Sequence, residues 1–199
     1  MHGFNSEQAV HVLFLESRAD DHILNRMSAA IGRMTHGMGA CHVELCLPEG
    51  SQYVSASIYN GEKITMSAQK TFANPGYTVH TIAVSQDQVM RMKQHATKCM
   101  NKNAYFDKLG MYLAVLPFAI PFRSSQGTFC SKLVTEMLQA ADVQAVNQLN
   151  ASTTSPSKLW KTLRSCGRSA TGSVPFKENI FRETASFEKD TLISQGGRW

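Results

Sequence analysis

The run Ala40-Cys41-His42-Val43-Glu44-Leu45-Cys46-Leu47 constrains the fold more than any other stretch of this chain. Its side chains alternate with a period of two, the pattern of an extended strand. Cys41, Val43, Leu45 and Leu47 are uniformly apolar, so their face belongs against a core. The other face carries Ala40, His42, Glu44 and Cys46, which sets an imidazole beside a carboxylate. A fold built around this strand must bury one side and equip the other with chemistry.

The flanking sequence supplies partners for that strand. Residues 11–15 read as a strand before it, and residues 53–59, 63–66 and 77–84 as strands after it. Asn60-Gly61 is a hairpin turn between two of them. Asp20-Asp21 offers a cap for a helix over about residues 22–34, with Ile23, Met27, Ala30, Ile31 and Met34 sharing one face. Ser85 with Gln88 forms a capping box for a helix continuing to Met100. Residues 105–116 read as a further helix stopped by Pro117. Thr128 is placed to cap a helix with Phe129, Leu133, Val134, Met137, Leu138 and Ala141 at apolar positions. Ser155-Pro156 opens a last short helix through Leu163. The sum is an α+β domain, a small antiparallel sheet packed by helices, over residues 1–164. A polar, basic, Gly/Ser-rich extension follows over residues 165–199.

Composition removes several function classes. A chain of 199 residues with 43% hydrophobic content supports one domain with a real core. The net charge is +5, and residues 161–199, with seven basic and four acidic side chains, hold +3 of it. Because acids interrupt the bases, that tail reads as a solvated surface, not a nucleic-acid arm. The five cysteines are odd in number, irregularly spaced and free of any CxxC pair, which argues against a disulfide framework or structural zinc. No secretory leader pattern opens the chain. The longest uncharged apolar stretch, residues 109–122, is only 14 residues long and contains Pro117 and Pro121, so no transmembrane helix is expected. A reducing, intracellular and by default cytoplasmic setting follows as the expectation.

Cys130 falls in the first turn of a predicted helix, where the helix dipole favours negative charge and therefore the thiolate. A cysteine taken alone is most often a small buried hydrophobe. A nucleophilic one needs a base, a group that orients the base, and donors for the developing oxyanion. Of the seven histidines, His42 is the one on a polar strand face, whereas His22 and His95 fall on helices among polar neighbours. Glu44, on the same face, and Ser55, on the polar face of the next strand, are the candidates to orient its ring. The remaining cysteines read as packing or surface thiols.

The order of these pieces resembles the permuted NlpC superfamily of papain-like thiol hydrolases, in which the histidine strand precedes the cysteine helix. The matching segments are Cys41-His42-Val43-Glu44-Leu45, Tyr53-Val54-Ser55-Ala56, Asn103-Ala104-Tyr105-Phe106-Asp107, Phe129-Cys130-Ser131-Lys132-Leu133-Val134 and Thr154-Ser155-Pro156-Ser157-Lys158-Leu159. The resemblance covers about residues 10–164. It implies a circularly permuted papain-like fold, Cys130 as nucleophile, His42 as general base and an acyl-enzyme intermediate. The family's third member, a polar residue on the strand after the histidine, aligns with Ser55 where Glu, His, Gln or Asn is usual, which leaves the role open to Glu44 or His80 as well. Backbone N–H groups around Ser131, assisted by Gln126, are the expected oxyanion donors. No metal or organic cofactor is required. A peptide or isopeptide substrate comes first; a lipid ester or N-acyl bond is second, since related folds include acyltransferases, although the Asn-Cys-Glu-His-Phe run of the lecithin:retinol acyltransferase group is missing. A non-catalytic interaction module on the same fold is the rival from another class.

Overall fold

A computed structural model describes residues 7–19, 21–49, 52–58, 64–68, 77–102, 104–115 and 127–166. The expected turn at Asn60-Gly61, the residue Gln126 and the extension from residue 167 lie outside them. The strands are β1 (Glu7–Glu16), β2 (Ala40–Glu49), β3 (Gln52–Ser57), β4 (Thr65–Ala68) and β5 (Tyr77–Ser85). They form one sheet in the order β4-β3-β2-β1-β5, and every adjacent pair is antiparallel. The helices are α1 (Ile23–His36), α2 (Gln86–Asn101), α3 (Lys108–Leu113), α4 (Cys130–Ala140) and α5 (Pro156–Cys166). The architecture is thus mixed α+β, an antiparallel sheet packed by helices. Among the described residues no helix is long and apolar enough to cross a membrane.

The alternation in β2 works as the sequence implies from Val43 onward. Val43, Leu45 and Leu47 pair with Phe14, Val12 and Val10 respectively or lie beside them, and all six are fully buried in one core. Onto this face pack Met92 and Ala96 of α2, Leu133, Val134, Met137 and Leu138 of α4, and Leu159 and Leu163 of α5. Cys41 departs from the pattern. Leu15 pairs with His42 and Glu16 with Ala40, so Cys41 is the extra residue of a β-bulge. Ala40 consequently joins the core in its place, while Cys41 is half-buried and reaches the Leu15 carbonyl at 3.5 Å.

Helix α1 is oriented differently from the amphipathic reading. Ile23, Met27 and Met34 are 57%, 54% and 87% exposed, and the buried residues are Ala29 and Gly32. Bulk marks the apolar stripe in sequence, but small residues set the contact here: a Cβ on Gly32 would run into the Ser157 hydroxyl at the start of α5. The N-cap also differs, because the His22 ring accepts from the Leu24 N–H while Asp21 accepts from Arg18. Gly37 ends α1 at φ 79°, the left-handed conformation suited to a residue without a Cβ. The capping box of α2 is present in full, with Gln88 and Ser85 bonded reciprocally at 2.9 and 3.2 Å. Helix α3 is shorter than its sequence pattern, because Asp107 caps it by accepting from the Gly110 N–H at 2.8 Å.

Candidate active site

Three elements converge on Cys130. The segment before it is held as a short parallel bridge between Phe106 and Thr128, with Thr128 N–H bonded to the Tyr105 carbonyl at 3.0 Å and Asp107 N–H to the Thr128 carbonyl at 2.8 Å. The Lys132 ammonium binds the Gly127 carbonyl at 2.6 Å. These contacts fix the entry into α4. At the other side, Ser157 of α5 donates to the Ala40 carbonyl at 3.3 Å, anchoring β2 next to its bulge.

Cys130 is the first residue of α4, but the residue before it is not the cap its neighbourhood suggested. Phe129 occupies the N-cap in extended conformation and has no side-chain oxygen to satisfy the first-turn N–H groups. Thr128 lies one position too early, and its buried Oγ1 is without a hydrogen-bond partner. An N-cap Ser or Thr would accept from the second or third N–H of the helix. No side chain of Phe129 fills that role, and the backbone at Val43 and Ser131 helps to hold the Cys130 thiol below its ordinary value. The β2–β3 register runs from Leu45↔Ala56 to Glu49↔Gln52, so the first half of β2 has an edge that β3 does not cover. Cys130 meets that edge.

His42 and Glu44 share a face of β2 by strand periodicity, and their side chains meet there, His42 Nε2 to Glu44 Oε1 at 3.1 Å. Both are nearly inaccessible, at 5% and 4% exposure, as is Cys130 at 2%. The Cys130 side chain is hydrogen-bonded to His42 as well. Burial disfavours charge on each group and is the largest influence on both, yet it is outweighed. Hydrogen bonds and charge from Cys130 and Glu44 push the His42 ring up to about 9. His42 and these backbone groups hold the Cys130 thiol below its ordinary value. The resting arrangement these shifts favour is a thiolate beside an imidazolium that a carboxylate supports.

Of the candidates to orient His42, the structure brings Glu44 into contact. Ser55 sits opposite Cys46, four strand positions past His42, which is about 13 Å along the strand. His80 pairs with Val12 on β5, across β1 from β2, and burial lowers its pKa. Ser131 follows Cys130 in α4, and its backbone is among the influences that lower the Cys130 pKa; its buried hydroxyl has no partner. Gln126 lies outside the described residues. The Val43 N–H was not foreseeable from side-chain chemistry, since backbone donors carry no residue signal. The lack of a side-chain cap at Phe129 was also missed, because the sequence reading set the cap at Thr128, one residue too early.

Cys41 is close enough for the negative charge of Cys130 to act on it, and burial, Asp21, Cys130 and Glu16 together push its thiol up to about 12. It is therefore a neutral thiol beside the site. A scan against protein-family models and a search of curated proteins find no match to this chain.

Proposed function

We propose that this protein is a cysteine hydrolase of permuted papain-like type, cleaving an amide or ester bond through an acyl-enzyme. The observation that carries the reading is the buried contact of His42 with both Cys130 and Glu44, at the first residue of α4.

The residues divide the work as follows. The Cys130 thiolate attacks the carbonyl carbon; the C–S bond forms and the π pair moves onto oxygen. First-turn N–H groups of α4 stabilise that oxyanion, a contribution of about 10²–10³-fold for one such donor in well-defined sites. Glu44 binds Nε2, which leaves Nδ1 of His42 as the proton carrier. The imidazolium protonates the departing amine or alkoxide as the bond to carbon breaks. Neutral His42 then takes a proton from water, which attacks the thioester and releases the acid and the thiolate. Glu44 keeps the ring in one tautomer and supports its charge, a positioning role.

The test is mass spectrometry of the intact protein mixed with a panel of peptide, isopeptide, N-acyl and lipid-ester substrates, with brief acid quenching. Hydrolase chemistry gives an acyl adduct on Cys130 that vanishes in Cys130→Ser, and the substrate that loads it decides between the peptide and lipid readings. Near-complete burial of Cys130 favours one rival, an interaction module that keeps the ion pair without using it. That rival is the outcome if no substrate class loads Cys130 and iodoacetamide modifies it no faster than a free cysteine.

A further inference from the structure

A second set of ligating side chains lies where α2 packs on α4. His95 and Cys99 are four residues apart on α2 and so share one helix face. Glu136 faces them from α4, six residues beyond Cys130 and thus about 9 Å along the helix axis. His95 Nε2 lies 3.4 Å from Cys99 Sγ and 3.5 Å from Glu136 Oε2. Among the described residues these three form the one group of His, Cys, Asp and Glu ligand atoms all within 4.8 Å of one another.

The geometry is that of convergence. A single imidazole nitrogen carries either one proton or one lone pair, so Nε2 cannot serve a thiol and a carboxylate fully at once. A cation at the centre of the triangle satisfies all three. Tetrahedral bonds of about 2.0–2.3 Å place ligand atoms about 3.3–3.8 Å apart, the spacing both His95 contacts already have. The donor set, one sulfur, one nitrogen and one oxygen, suits zinc and is too soft for magnesium or calcium. The charges also close: thiolate and carboxylate offset the two positive charges, with the imidazole neutral. His95 and Glu136 remain 25% and 29% exposed, so an ion can reach them, while Cys99 packs against the core.

We infer that His95, Cys99 and Glu136 form a zinc(II) site, with water at the fourth position, that clamps α2 to the helix bearing Cys130. On binding, the Cys99 S–H proton passes to solvent and the sulfur pair goes to the metal; His95 binds through Nε2 and Glu136 through one carboxylate oxygen. The site stands independently of any chemistry at Cys130.

The experiment titrates zinc chloride into the full-length Cys130→Ser protein by calorimetry, a background that removes the other thiol–imidazole pair. Cobalt(II) is titrated in parallel to read thiolate-to-metal absorption. The expected result is one saturable equivalent of zinc and a cobalt–thiolate band. Adding Cys99→Ser abolishes the band and weakens zinc at least about tenfold, and Glu136→Gln weakens zinc by a similar factor while keeping the band. Glu136 is partly exposed, so that variant reads the site even if Cys99→Ser fails to fold by circular dichroism. Absence of saturable binding, or binding unchanged by both Cys99→Ser and Glu136→Gln, overturns the inference.

Discussion

Two groups of the same three side-chain types, Cys130–His42–Glu44 and Cys99–His95–Glu136, occupy one molecule and set their histidines in different surroundings. In the first, the imidazole on a buried strand meets both a carboxylate and the thiol at a helix start. In the second, one nitrogen faces both partners on a partly exposed seam between two helices. A ring that meets its partners across a strand and a helix start is placed to relay a proton; one that meets both through a single nitrogen is placed to share a ligand. Residue type therefore does not decide the chemistry. The backbone does, by presenting the triad across a strand and a helix start, or along a helix face.

The largest expected effect separates the two groups outright. Cys130→Ala lowers turnover by about 10⁴–10⁶-fold, the loss typical of removing a nucleophile, whereas Cys99→Ala leaves the rate constant for acylation intact; steady-state kinetics on a substrate that loads Cys130 measures both. Next is the carboxylate. Glu44→Gln lowers kcat by about 10²–10⁴-fold and moves the alkaline limb of the rate profile downward, while Glu136→Gln changes neither. The limb is the informative readout, since mere loss of packing would not move it.

The pH profile gives the third comparison. The raised His42 pKa means the imidazolium is complete below the ring's ordinary value and is lost as pH rises through about 9. The lowered Cys130 pKa means the thiolate is complete above the ordinary thiol value and is lost as pH falls through the depressed one. Turnover therefore spans the window between them, and kcat/KM against pH traces it. A smaller effect follows from metal removal: a chelator lowers Tm, with about 2.7 kcal/mol lost when zinc stands at a hundred times its Kd, yet leaves Cys130 alkylation unchanged. The smallest is Ser131→Ala. Its hydroxyl is buried and unpartnered, so its removal is neutral or stabilising by up to about 1 kcal/mol in chemical denaturation.

Much of this was legible in the sequence, and where it was not the reason is physical. Strand alternation placed His42 with Glu44, and the capping box at Ser85 and the Ser155-Pro156 start both took their expected form. The bulge at Cys41 was invisible because alternation counts residues without knowing which one is left unpaired. The face of α1 was misread because bulk outweighs smallness in any hydrophobic pattern, while close packing against Ser157 selects Gly32. Ser55 was placed near His42 by face alone; only the register reveals the strand offset. His95 and Cys99 had the right helical spacing, but Glu136 joins them through the packing of α2 on α4, a tertiary fact with no local trace.

On the proposed chemistry, His42 holds Cys130 as a thiolate. Its most direct test is the rate of Cys130 carboxamidomethylation by iodoacetamide against pH, followed by peptide mass spectrometry in wild type and His42→Ala. The wild-type inflection is expected well below the ordinary thiol value of about 8.5, with a shift upward past that value in His42→Ala, where burial acts without its counterweight. A wild-type inflection at or above the ordinary range, unmoved by the substitution, would contradict it.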